Sequence, residues 1–453
     1  MSTGRINLHT MGMIGDVDVN YDHSYFTKLI KQKTHFAKEY VNIQPEGNKS
    51  VFGGIYEFSI PMNVGDLLKS VCLEIKTSQL SDANHYYIES FGNALIEYAE
   101  LLIGGTVINR ITTDYLQLYT EAFHNESKKV AFKNLINKSE YILDALPNEG
   151  VNSERQLQND QLHCIIDLPF YFHRHPELAI PLCAITTQDI SIRIKLRNYD
   201  ELIYERTSTR MNGEYLFKNF SLPPTITEAP KITKCELIAE FVFLDNIERL
   251  KIKCNKTDYV ITELQEEQFK TSNDQTNLVN CKLHFSNPVK ELYFFIQRDR
   301  EEHKNIDIFT SPINYEPLSY YNLGELIEDG EDIEVTADQL KYLTLKLDGL
   351  SIIDENVGTP QFMRTSQFMR HHSNAPLIYR IYMYSFALDP EVWYPTGQVN
   401  FSLIKEQLMT FELFSSRFRA GSYSHRYSNR HIRVYAKSYN ILRVENGTAR
   451  KLF

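Results

Sequence analysis

Apolar and polar residues alternate with a period of two through much of this chain, and that period predicts strands. The clearest run follows Asp189: Ile190, Ile192, Ile194 and Leu196 fall on one side, Ser191, Arg193, Lys195 and Arg197 on the other. Val71, Leu73 and Ile75 alternate with Cys72, Glu74 and Lys76. Leu237, Ala239, Phe241 and Phe243 do so further on, as do Leu343, Leu345 and Leu347. Strands with one apolar and one wetter face build antiparallel sandwiches rather than parallel α/β sheets. The chain is therefore expected to be all-β.

Two stretches have a helical period. Tyr115, Leu118, Tyr119, Ala122 and Phe123 form an i, i+3, i+4, i+7, i+8 stripe, with Thr113 placed to cap it and Asp114 in the first turn. Val260 to Phe269, rich in Glu and Gln with Ile261 and Leu264 as anchors, is a second helical candidate. Residues 222–230 carry three prolines, which cannot continue a central strand, and apolar alternation resumes just after them. That punctuation predicts an N-terminal arm over 1–24, a first domain over 25–222, a linker over 223–230 and a second domain over 231–453. Both halves read as strand, helix and long-loop modules of similar length, which points to a duplicated fold. Polar, turn-rich stretches at 133–163, 198–222, 298–337 and 354–377 are expected to be long loops.

At 453 residues the chain suits two or three domains, and with 42% hydrophobic residues it can bury real cores. Its 28 Tyr and 26 Phe against a single tryptophan, Trp393, favour strands, where aromatics pack across a pleated face. A net charge of −10 argues against a protein that coats nucleic acid. No apolar run approaches the ~18–20 residues needed to cross a bilayer, and no signal-peptide core is visible near the start. A soluble protein made in the cytosol is expected. The six cysteines, at 72, 164, 183, 235, 254 and 281, are scattered without a CxxC pair. Cys164, Cys183 and Cys235 lie in strand-like stretches, so buried reduced thiols are expected.

Candidate chemistry is sparse. His173 and His175 have the HxH spacing of metal-binding jelly-roll enzymes, but Pro176 follows at once and no downstream Glu and His complete a ligand set. His371 and His372 are adjacent, so on a strand they would point apart, and they read as loop or interface residues. The acidic run from Glu325 to Glu334 lacks the ordered pattern of a calcium loop. Sequons beginning at Asn48, Asn125, Asn137, Asn219, Asn255, Asn400 and Asn446 are attributed to chance in an Asn-rich chain. Gly104 and Gly105 predict a tight turn rather than a phosphate loop, since the spacing and the Lys of such loops are absent. Asn400 and Asn440 are explained by local bonding to the backbone. No nucleophile–base pattern is present. No catalytic, cofactor-binding or metal site, and no cofactor, is expected.

A series of ordered blocks carries a resemblance. Residues 25–37 (YFTKLIKQKTHFA), 65–68 (GDLL), 88–118 around Gly92 and the Gly104–Gly105 turn, 167–172 (DLPFYF) and 178–185 (LAIPLCAI) come first. They are followed by 240–249 (EFVFLDNIER), 285–292 (FSNPVKEL), 382–391 (YMYSFALDPE), 395–402 (PTGQVNFS) and 438–444 (SYNILRV). In this order the blocks resemble the major capsid proteins of the nucleocytoplasmic large DNA viruses, from about residue 24 to residue 447. Departures are Asn287 where His is usual, Tyr293 and Phe294 where Trp is common, and Tyr394 near a position often Gln. The resemblance implies two consecutive eight-stranded antiparallel jelly rolls with short helices and long loops. It also implies a structural protein whose homotrimers form pseudo-hexagonal capsomers and tile the icosahedral shell of a large double-stranded DNA virus. Implied partners are neighbouring capsomers, and minor capsid proteins and an inner membrane reached through the arm, with no direct nucleic-acid binding. A related double jelly-roll scaffold of immature particles is the alternative within the family. A cupin-type enzyme or carbohydrate-binding sandwich is the alternative outside it.

Overall fold

The computed structural model describes residues 34–47, 51–82, 85–88, 90–137, 160–211, 214–221, 228–270, 278–298, 306–308, 325–329, 332–337, 340–376, 381–413 and 430–453. The expected arm over 1–24 lies outside the described residues, as do 222–227 of the Pro-rich stretch.

Strands are numbered along the chain. The first twelve are β1 (Phe36–Ile43), β2 (Ile55–Ser59), β3 (Leu67–Thr77), β4 (His85–Tyr87), β5 (Ile96–Ile103), β6 (Thr106–Thr112), β7 (His163–Asp167), β8 (Ile180–Pro181), β9 (Ile190–Leu196), β10 (Ile203–Met211), β11 (Glu214–Ser221) and β12 (Ile232–Leu244). The rest are β13 (Thr257–Lys270), β14 (Leu278–Leu283), β15 (Pro288–Arg298), β16 (Ile306–Ile308), β17 (Glu325–Asp329), β18 (Asp332–Ala337), β19 (Leu340–Leu347), β20 (Leu350–Ile353), β21 (Ile381–Ser385), β22 (Val399–Asn400), β23 (Gln407–Leu413), β24 (Arg430–Glu445) and β25 (Thr448–Lys451).

One sheet of the first sandwich runs β1-β12-β3-β7, and the other runs β2-β9-β5-β6. In the second sandwich the sheets run β13-β24-β15-β21 and β14-β23-β19-β20. Each sandwich has eight principal strands, and in chain order both place them first-eighth-third-sixth and second-seventh-fourth-fifth. This is one jelly roll built twice. The alternating positions supply the cores: Ile190, Ile192, Ile194 and Leu196 are buried in the first, and Leu343, Leu345, Leu347, Met409 and Phe411 in the second. Gly104 and Gly105, at φ +56° and +77°, make the β5–β6 turn that their sequence predicted.

Four expectations are corrected. Residues 260–269 form β13, not a helix, and all fourteen residues of β13 pair with β24. β13 is the outer strand of its sheet, where Glu and Gln are tolerated and discourage further pairing. β12 was assigned to the second domain, yet it pairs with β3 from Ile232 opposite Thr77 to Val242 opposite Leu67. The chain therefore leaves the first sandwich only after Leu244. Residues 198–222 are largely a β10–β11 hairpin in a separate sheet, β16-β11-β10-β4, to which the second half of the chain contributes β16. Residues 362–371 within the fourth expected loop are helical. Two further helices, Glu126–Leu135 and Asn246–Cys254, were not expected from the sequence. Cys164 and Cys235 are buried on strands, whereas Cys183 is half-buried on a turn.

The predicted helix spans Thr113–Ala122, and every one of its residues is buried, the polar ones included. A helix buried on all sides cannot lie on a surface. It lies where the two sandwiches meet.

Candidate functional site at the seam of the two sandwiches

β15 and β24 have two buried faces. Leu292, Phe294 and Ile296, with Ile432, Val434 and Ala436, pack into the core of the second sandwich. Their alternates Tyr293, Phe295 and Tyr435 belong to the core cluster of the first. The register sets Glu291 opposite Lys437, Tyr293 opposite Tyr435 and Phe295 opposite Arg433, so the seam face combines aromatic rings with charges. Period two then dictates which side chains meet the neighbouring sandwich.

Asp114, in the first turn of the seam helix, receives Arg433 Nη1 at 2.7 Å and the Tyr435 hydroxyl at 2.7 Å. Thr113 does not cap the helix; its hydroxyl donates to the carbonyl of Ile96 and accepts from Arg197. Lys437 lies over the rings of Phe123 and Tyr115, 4.8 and 5.6 Å from their centroids. Each of these contacts but the Thr113 pair crosses from one sandwich to the other.

A second cluster centres on His372, which follows the Gln367–His371 helix and is fully buried. The loop or interface position expected for this residue agrees with its place on the bend after that helix, where the two sandwiches meet. Its Nε2 is 2.9 Å from Glu291 Oε1 and its Nδ1 is 3.3 Å from Glu391 Oε1. Phe123, Phe368 and Tyr293 surround the ring, the nearest centroid at 4.7 Å. His371 is half-buried, and its Nδ1 lies 3.1 Å from the carbonyl of Leu388.

Glu391 is the hub. It accepts from the Ser373 amide at 2.9 Å, pairs with Arg174 at 3.1 Å, and its carbonyl accepts from His175 Nε2 at 3.0 Å. Arg174 and His175 belong to the first sandwich, so Glu391 ties the 386–396 loop to it. The loop is braced internally, with Thr396 Oγ1 donating to the Asp389 carbonyl and the Glu391 amide donating to Asp389 Oδ1. Lys290 Nζ donates to the Pro390 carbonyl at 2.7 Å, and the Tyr293 hydroxyl donates to Glu291 Oε2.

Burial would raise the Glu291 carboxyl, but His372, Lys437 and Lys290 outweigh it and hold it down at about 2. Burial acts likewise on Glu391, and the His372 and Ser373 contacts hold it well below the usual carboxylate range. For His372 burial favours the neutral ring, yet the two carboxylates win and the net direction is upward. Burial and the neighbouring Lys437 lower Lys290 to about 7.

His173 and His175 do not converge. They sit on a turn, His173 Nε2 facing Asp167 at 3.9 Å and His175 facing the Glu391 carbonyl. Burial lowers both below the ordinary imidazole value. Asn400 Oδ1 accepts from the Ser402 amide and Asn440 Oδ1 from the Ile441 amide, the local bonding expected of them, and Asn440 also bonds the backbone of Phe453, thirteen residues on. The sequence named Asp114, Tyr115 and Phe123 only as helix residues, and it did not single out Lys290, Glu291, Arg433, Lys437 or Glu391 as a network; charges inside apolar strand patterns were the available signal. Chemically the seam is a paired network of acids and bases that fixes how two sandwiches meet.

Comparisons with known proteins agree with this architecture. Residues 24–245 match the family described as major capsid protein N-terminus, and residues 248–450 match large eukaryotic DNA virus major capsid protein. The boundary falls just after β12, where the first sandwich ends. The major capsid protein of Phaeocystis pouchetii virus is 24% identical, covering 94% of both chains. That of Paramecium bursaria Chlorella virus 1 is 22% identical over 94% of this chain and 93% of its own. Among solved structures, the PBCV-1 virus capsid superposes with a TM-score of 0.71 at 20% identity, covering 95% of this chain and 100% of that one. Faustovirus major capsid protein gives 0.70 at 13% identity, covering 97% of each. These relatives are shell proteins, which favours a capsid role over the scaffold alternative and a structural role over catalysis. With two jelly rolls of identical strand order and family matches across both, the chain belongs to the major capsid proteins of the large eukaryotic DNA viruses.

Proposed function

We propose that three copies of this chain close into a pseudo-hexagonal capsomer that tiles an icosahedral shell. The carrying observation is the duplication: two sandwiches of one strand order per chain give six similar units per trimer. Such a ring obeys threefold symmetry while offering its neighbours near-sixfold contacts, and it closes head to tail, first sandwich against second. Tiling requires the two sandwiches of a chain to hold one angle. The seam supports that reading, because a buried charge network specifies a single docking even where it adds little net stability.

Residues 1–24 act, in this reading, as an arm that orders against minor capsid proteins or an underlying membrane. They carry Ile6, Leu8, Met11, Met13, Ile14 and Val17 among Gly4, Gly12 and Gly15, apolar enough to bury without a core of their own. The protein is made in the host cytoplasm and binds no nucleic acid directly, in keeping with its net charge of −10. Light scattering tests the assembly: the full chain and a 25–453 truncation should both weigh about three times their monomers, 52.9 kDa for the full chain. Only the full chain should enter particles. A stable monomer at micromolar concentration counts against the trimer, and normal incorporation of the truncation removes the role of the arm.

A further inference from the structure

We propose that the protonated ring of His372 is a lock between the two sandwiches, and that its deprotonation at alkaline pH releases the 386–396 loop from the first sandwich. The inference rests on reading the seam as the joint of the two sandwiches and needs no particular oligomer.

The two protonation states of the ring differ in their donors. A neutral imidazole has one N–H and one lone pair, whereas an imidazolium donates from both nitrogens. Here each nitrogen lies within ion-pair distance of a carboxylate, Glu291 on β15 at 2.9 Å and Glu391 on the loop at 3.3 Å, without the alignment of a full hydrogen bond to either. A neutral ring would have to aim its lone pair at one of them. The ring is fully buried among Phe123, Phe368 and Tyr293, so no water can relieve that clash cheaply. The ion pairs run in series: β15 to His372, His372 to Glu391, and Glu391 to Arg174 of the first sandwich.

Other charges face the cluster from every side. β15 supplies Lys290 and Tyr293, β24 supplies Lys437 and Tyr439, and the seam helix supplies Tyr115. The 173–175 turn adds Arg174 and His175, and the loop adds Asp389. Lys437, 3.8 Å from Glu291, and Arg174, on Glu391, each serve a single carboxylate, so neither bridges the pair as His372 does.

The sign follows from linkage. His372 is raised in the folded state, so its contribution is complete below about 6.5 and is lost as pH climbs through the folded value. Lys290 works in the opposite sense: lowered to about 7, it adds stability as pH rises from there toward its ordinary 10.5. The two are separated by substitution.

Trp393, the only tryptophan, lies in the same loop and reports on it directly. Its emission and anisotropy are followed from pH 6 to 9.5 in the wild-type chain, His372→Gln, Glu391→Gln and Lys290→Met, with molar mass recorded in parallel. The wild type should titrate with a midpoint above 6.5, His372→Gln should not, and Lys290→Met should keep the transition. In Glu391→Gln the midpoint should fall by about one unit, a tenfold change in proton affinity. A wild-type signal flat over this range overturns the lock without recourse to any variant. So does an unchanged transition in a folded His372→Gln chain. Because mass is read separately, a chain that is not a trimer but titrates as described sinks the capsomer reading and keeps the lock.

Discussion

Asp114 shows how one side chain can serve two sandwiches. It opens a helix whose every residue is buried, and it meets Arg433 and Tyr435 from the opposite sheet. A buried pair of this kind contributes little net free energy when intact, but removing Asp114 takes a counter-charge from Arg433 and the acceptor from the buried Tyr435 hydroxyl. Asp114→Ala should therefore cost about 3–5 kcal/mol. Tyr435→Phe, which deletes one hydrogen bond to a charge and keeps the ring, should cost about 1.5–3 kcal/mol. Denaturant midpoints of the two variants give the order, and an Asp114→Ala chain as stable as the wild type removes the seam from the account. The sequence made Asp114 legible as a helix-start residue. Its partner lies 319 positions downstream (433 − 114), and no local pattern could name it.

At the scale of elements, β12 is the informative strand. Its apolar alternation was visible, and Leu237, Ala239 and Phe241 are buried as the alternation requires. Which sandwich it completes was not visible, because alternation reports a buried face and says nothing of the neighbour. Hydrogen bonding to β3 decides it. Leu237→Ala should cost about 2–5 kcal/mol by leaving a cavity in the first core. Hydrogen exchange should show faster opening of β3 and β9 with little change in β19 and β23. Equal loss in both sets would mean that the sandwiches unfold as one unit and that β12 does not mark the division. β13 teaches the converse: its Glu- and Gln-rich composition suited a helix, and fourteen residues of pairing with β24 overrode that preference.

For the whole molecule, the depressed carboxylates set an acid limit. Glu291, held at about 2, and Glu391, held well below the usual carboxylate range, contribute stability that is complete above about 4.5 and lost as pH falls through their folded values. Thermal unfolding should thus weaken from about pH 4.5 toward 2, on top of the loss that His173 and His175, lowered by burial, contribute as pH falls below about 6.5. Glu291→Gln should flatten part of that decline. A wild-type transition already collapsed at pH 5 would show that other groups govern acid stability and that the seam does not.

Period-two alternation and scarce helical signals by themselves pointed to an all-β chain of sandwiches, the similar modules of its two halves to a duplication, and the ordered blocks to its family. Those features are local, because the buried face of a strand is written in its own residues. The tertiary structure alone decided that β12 closes the first sandwich, that 260–269 is a strand, and that His372 lies between Glu291 and Glu391. Each of these depends on a partner far along the chain. A charge inside an apolar strand marks an unpaired cost in the sequence, and only the folded chain brings the counter-charge that removes it.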